Sequence, residues 1–192
     1  GHPVGSAPPP MWRIETLPAC RIGVIDVRIV ENDIGRALQA LSDTDALVFD
    51  IRNYPQGDFL HPLLARLLER PLPISQLTFP DLSQPGRFFP LTIRAGGSEP
   101  IGYRGRILIL QNADAISASE YAIMGLQSDG RAITFGSQTA GADGNITWVD
   151  TPGDLQLAFS GLGVFYPDGR DTQRVGIVPD VHVATTRQGV MD

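Results

Sequence analysis

Apolar and polar positions alternate closely from Ile22 to Ile29, which predicts a strand. Asn32-Asp33 then opens a helix on which Ile34, Leu38 and Leu41 recur at helical spacing. Ala46 to Ile51 is a short, nearly continuous apolar run, the pattern of a strand covered on both faces. The polar turn Arg52–Asp58 leads into an apolar helical segment, Leu60 to Leu68, with Pro62 tolerated in its first turn. Residues 71–101 hold five prolines between 71 and 90 and then Gly96-Gly97, so they read as a long loop, either a functional rim or a host for short strands. Ile107 to Leu110 returns to a buried strand, Ser117 to Gly130 reads as a helix closed by glycine, and Ala132 to Gly136 as another strand. Beyond these, Ile146–Val149, Leu155–Phe159, Gly163–Tyr166 and Ile177–Val183 are short apolar runs separated by turn residues, the signature of β-hairpins. The sum is an α/β domain with strand-helix-strand units and a β-rich C-terminal third.

Composition narrows the reading. A chain of 192 residues is one medium domain by default and buries roughly 70% of its unfolded surface without a disulfide or metal staple. The lone Cys20 excludes a disulfide framework and a cysteine-based zinc site. A formal charge of -6 with no basic run argues against nucleic acid as a partner, and no apolar stretch is long enough to insert into a membrane. Residues 1–10, rich in proline and small residues, read as a disordered leader or cloning remnant, followed by a single core over 11–192. All 15 cationic side chains are arginine. The absence of lysine removes any lysine base, Schiff base or phosphate-loop lysine.

Three segments leave predicted strands on one edge of the sheet, where an α/β fold places its ligands. The first is the turn Asp50-Ile51-Arg52-Asn53-Tyr54-Pro55-Gln56-Gly57, which offers a backbone donor to a developing oxyanion or is simply a strand-to-helix turn. The second is Ser117-Ala118-Ser119-Glu120 at a helix start. It fits a capping box as well as a nucleophile. The third is the polar, glycine-rich loop from Gly136 to Asn145, which carries Asp143.

In this order and spacing, over residues 22 to 183, these segments resemble the C-terminal-processing (tail-specific) serine peptidases and their tricorn-like relatives. Asp50 to Gly57 approximates that family's Asp-Leu-Arg-x-Asn-x-Gly-Gly turn, with Tyr54 and Gln56 in place of its second asparagine and first glycine. Ser117, Ala118 and Glu120 match Ser-Ala-x-Glu. Gly136, Thr139 and Gly141 match Gly-x-x-Thr-x-Gly, and Gly176 to Asp180 matches the closing Gly-(Val/Ile)-x-Pro-Asp. The resemblance implies a ClpP/crotonase-like α/β core that cleaves peptide bonds through an acyl-enzyme, with no cofactor or metal, peptide or protein substrates, and an exported location; it leaves the oligomeric state open. It assigns Ser117 as nucleophile, Ala118 N–H as one oxyanion donor and the turn at Gly57 as the other. The Ser-Lys branch has its lysine where this chain has Ala142, so the tricorn-like branch, with a histidine base and an orienting glutamate, is the expectation. Gln173 stands at the glutamate's position, and Asp171 is close enough to substitute for it; Asp143 is a further orienting acid or a plain turn aspartate. Of the histidines, His2 lies in the leader, His182 alternates with Val181 and Val183 in the last strand, and His61 alone follows the active-edge turn as an in-chain base. The expected base otherwise lies outside this chain. The alternative reading is a catalytically inactive domain that binds extended peptides.

Overall fold

The computed structural model describes residues 10–184; His2 and the rest of residues 1–9 lie outside them. The main sheet has six strands in the order β1-β2-β3-β6-β7-β11. β2 (Cys20–Asp26), β3 (Ala46–Asp50), β6 (Arg106–Gln111), β7 (Ala132–Gly136) and β11 (Val181–His182) run parallel, and β1 (Trp12–Leu17) is antiparallel at the edge. Helices α1 (Glu31–Ala40), α2 (Leu60–Leu67) and α3 (Ala118–Gln127) connect successive parallel strands. α1 packs on α2 and α2 on α3. The buried stripe of α2 (Leu60, Leu63, Leu64, Leu67) keeps helical spacing and joins Phe49, Ile109, Ile123 and Ile177 in one continuous core. The parallel strands are apolar on both faces because helices and a second layer cover them.

Three differences from the sequence reading have clear causes. Residues 71–101 are not mainly loop. β4 (Leu72–Pro80) and β5 (Phe88–Ala95) form a long antiparallel hairpin, which pairs with β10 (Gly163–Phe165) in the order β10-β4-β5 and packs on α3 and α2. The prolines fit because each sits where a ladder bond is dispensable: Pro73 at a register shift, Pro80 at a strand end and Pro90 on the edge strand β5. β1 is the second difference. Its side chains from Arg13 to Leu17 are exposed, so no burial period marks it, and it is held by the hairpin register Leu17↔Cys20 through Trp12↔Ile25. In the C-terminal third, β8 (Ile146–Thr151) and β9 (Leu155–Ser160) make the expected hairpin as a separate two-stranded ribbon. The run Ile177–Val183 shortens to the two residues of β11, because Ile177 to Asp180 is spent on side-chain anchors described below. No helix among the described residues is long and apolar enough to cross a membrane.

Candidate active site

The C-terminal ends of β2, β3, β6 and β7 share one edge, and the segments that follow β3, β6 and β7 in the sequence reading emerge there. Neighbouring strands β2 and β3 end in register at Asp26 and Asp50, and each aspartate clamps the arginine two residues on. Arg28 donates to Asp26 at 2.9 and 2.6 Å, and Arg52 to Asp50 at 2.8 and 2.7 Å. These paired forks fix the direction in which both chains leave the sheet. Asp26–Arg28 was not singled out from the sequence; the repeated Asp-x-Arg at two strand ends was the available signal.

At the end of β6 the chain turns into α3 through Ser117, whose backbone lies at φ +53°, ψ −115°. A serine in this region is strained, since its Cβ crowds the backbone and only glycine is at ease there. The strain turns the residue outward at a strand-to-helix bend, leaving Ser117 half-exposed while Ser119 and Glu120 behind it are fully buried. Ala118 N–H, at the start of α3, has no acceptor among the described residues. Gly57 N–H is likewise unpaired, on an exposed residue at φ +71°. The Gly57 turn is tied to the helix start, because Ser119 Oγ donates to the Asn53 carbonyl at 3.2 Å. Through that bond the start of α3, two residues beyond Ser117, is tied to the turn that carries Gly57.

Glu120 does more than return to the helix cap. Ser117 N–H reaches its Oε2 at 3.3 Å, as in a capping box, but the carboxylate also accepts from Thr139 Oγ1 at 2.5 Å, Gly141 N–H at 2.8 Å and Ala142 N–H at 2.9 Å. Thr139 Oγ1 accepts in turn from Ile177 N–H at 2.7 Å. Asp180 then takes both the amide and the hydroxyl of Thr134 at 2.8 Å. The three sequence motifs are thus joined by Glu120, Thr139 and the Ile177–Asp180 segment into one hydrogen-bonded frame. Gly141 (φ +69°) and Gly176 (φ +76°) let the two backbones meet. A Cβ on Gly141 would stand 2.8 Å from Gly176 N, and one on Gly176 2.5 Å from Thr139 O.

Asp143, on the same loop, is 6% exposed. Its Oδ1 accepts Gly144 N–H at 2.7 Å, while Oδ2 is buried without a partner. Burial pushes its carboxyl up to about 6, against the lowering effect of the Gly144 hydrogen bond, and the nearby Glu120 charge adds to the rise. Gln173 donates to the Asp143 carbonyl at 2.8 Å and the Leu162 carbonyl at 3.0 Å, so it serves as a brace. Tyr121, one turn along α3 from Ser117, accepts from Ser75 Oγ at 3.2 Å; burial raises its phenol pKa, and the Asp143 and Asp58 carboxylates add to that.

Not every expected site residue joins this cluster. Asp171 is exposed, bridges to Phe165, and lines a cavity of about 870 Å³ with Met124, Gln127 and Ser128, at the end of α3 opposite Ser117. His61 is exposed near the start of α2, with Nδ1 3.1 Å from Asp58 Oδ1. His182 pairs with Gly136 at the exposed sheet edge. Among the described residues no group of histidine, cysteine and carboxylate side chains could hold a metal.

The family model of peptidase family S41 matches residues 21–183, and the chain belongs to that family of serine proteases. Among solved structures, a presumptive peptidase from Parabacteroides merdae aligns with a TM-score of 0.77 at 18% identity, covering 94% of this chain and 60% of that one. Mature CPAF complexed with lactacystin aligns with a TM-score of 0.67 at 15% identity, over 85% of this chain and 47% of that one. The photosystem II D1 C-terminal processing protease aligns with a TM-score of 0.62 at 22% identity, over 88% of this chain and 45% of that one. At these identities the likeness is one of fold, and the chain spans between 45% and 60% of the length of these three structures. No curated protein matches it.

Proposed function

We propose that the chain is the catalytic core of a serine peptidase with a ClpP/crotonase-like fold, acting on peptide or protein substrates through an acyl-enzyme on Ser117. The backbone of Ser117 carries the reading. A strained serine between β6 and α3 is costly to keep, by about 1–3 kcal/mol, and a strained serine backbone also presents the nucleophile in unrelated hydrolases. Ser117 Oγ attacks the scissile carbonyl. The unpaired amides of Ala118 and Gly57 receive the oxyanion, and a base takes the hydroxyl proton and returns it to the leaving amine. The tricorn-like assignment follows from the chemistry available, since the chain has no lysine. A histidine supplied from elsewhere in the full-length protein fits the base better than His61, which stands exposed at the start of α2 and makes no hydrogen bond to Ser117 among the described residues. Export from the cytoplasm is proposed from the family resemblance alone.

The test is covalent labelling of the full-length protein by a fluorophosphonate. Labelling of the wild type that is lost in Ser117→Ala supports the assignment; labelling that persists in the variant removes it. A second reading, a peptide-binding domain without turnover, is favoured by Gln173 bracing a loop at the position expected for an orienting glutamate. Under that reading the wild type is not labelled, and peptide affinity is unchanged in Ser117→Ala.

A further inference from the structure

The two ends of α3 open on different places. Ser117 precedes the helix and Ser128 follows it, so about 15 Å of helix separates the candidate active site from the cavity of about 870 Å³ at the far end. A concave space of that size suits a small ligand or a few side chains. Its walls mix apolar and polar groups, with Met124, Val175 and Val178 beside Gln127, Ser128 and Asp171. Ser128 Oγ is buried and has no hydrogen-bond partner among the described residues. Buried hydroxyls are satisfied in the great majority of cases, so this one calls for a partner that the described residues do not supply.

Charge decides the kind of partner. The last turn of α3 carries no basic side chain, so the partial negative charge of the helix C-terminus is left unanswered where the cavity meets it. Four charged groups line the wall: Asp168, Arg170, Asp171 and Asp180. Arg170 is paired with Asp168 at 2.8 Å and lies over the Tyr166 ring at 4.3 Å. Asp180 spends one oxygen on Thr134. Asp171 meets Phe165 through the backbone, and its carboxylate has no cationic partner among the described residues. The charges of Asp171 and Asp180 therefore stay uncompensated. Burial raises the Tyr166 phenol pKa; the Arg170 cation opposes the rise, and the Asp168, Asp180 and Glu120 carboxylates add to it. The cavity thus joins a negative field to an apolar floor.

We propose that this cavity is a second binding site, which takes an organic cation: a protonated amine or guanidinium on an apolar body. The charge sits against Asp171 and the end of α3, an N–H donates to Ser128 Oγ, and the apolar body packs on Met124 and Val178. A free amine and a basic side chain of a polypeptide share this chemistry. The inference does not depend on Ser117 being a nucleophile.

The experiment uses the full-length protein with carbon-13 in its methionine methyl groups, the Met124 signal being assigned through Met124→Leu. Phenethylamine and acetyl-phenylalanyl-lysine amide are titrated as cations, one free and one from a polypeptide, and phenylpropionate as an anion of similar shape. The expected result is a saturable shift of the Met124 signal with at least one cation and none with the anion; the tighter cation identifies the source. Affinity for it is expected to fall about fivefold in Asp171→Asn and about tenfold in Ser128→Ala, with melting temperatures no lower than wild type because neither side chain holds a hydrogen bond among the described residues. A Met124 signal that no cation moves, an anion that binds as tightly as the cations, or wild-type affinity in both variants overturns the inference.

Discussion

At Ser117 the backbone is set against the side chain. Glycine adopts φ +53° without the Cβ clash that serine and alanine suffer. Ser117→Gly is therefore expected to be more stable than Ser117→Ala by roughly 1–2 kcal/mol, read from urea midpoints of the two variants; equal stability would mean the bend is relaxed in solution. Asp143 shows the same opposition electrostatically. Its carboxyl rises from the usual 3.8 to about 6 in the fold, so the folded state favours the protonated form. That contribution is fully present below pH about 3.8 and is lost as pH rises through about 6. Asp143→Asn is accordingly expected to stabilise the protein at pH 8 by on the order of 3 kcal/mol at most, with the gain vanishing near pH 4. Thermal melts at the two pH values decide it, and a gain of equal size at both would assign the effect to packing instead.

The elements differ in how much they rely on their own pattern. α2 follows its apolar stripe from Leu60 to Leu67, and the sequence marks it clearly because the stripe repeats at helical spacing. The loop from Gly136 to Asn145 has no pattern; Glu120 shapes it from α3, nearly twenty positions away in sequence. Glu120→Ala leaves the Thr139 hydroxyl and the amides of Ser117, Gly141 and Ala142 without their acceptor. A loss of about 3–5 kcal/mol is expected from denaturant titration, together with loss of labelling at Ser117. The β8–β9 ribbon behaves in the opposite way. Val149 and Leu157 face each other across it at 41% and 58% exposure and take no part in the core. Replacing both by serine should leave the melting temperature within a few degrees of wild type; a large drop would show that the ribbon is packed against something in solution.

Across the whole molecule, one hydrophobic cluster runs from Ile25 through Phe49, Ile74 and Ile109 to Ile177, joining the main sheet, the helices and the β4–β5 hairpin. No seam divides it. The chain should therefore unfold in a single cooperative step, with Trp12, which packs against that cluster, losing its environment at the same temperature at which the helical signal is lost. Separate transitions by fluorescence and circular dichroism would divide the domain in two.

Neighbouring residues were enough to mark the strand-helix-strand order, the buried strands and the three polar segments at their ends, because burial on a regular element writes a period into them. Spacing also carried the family resemblance, since each motif pairs residues that meet across a few turns of chain. Tertiary structure alone decided the rest. Prolines in β4 and β5 find positions where no ladder bond is needed, β1 is held by a partner instead of by burial, and Glu120 turns from a cap into the anchor of a distant loop. It also separates Asp171 from Ser117 while leaving Asp143 buried beside the serine's loop with one oxygen unclaimed. These outcomes depend on which atoms meet from remote parts of the chain, and local periodicity holds no record of such meetings.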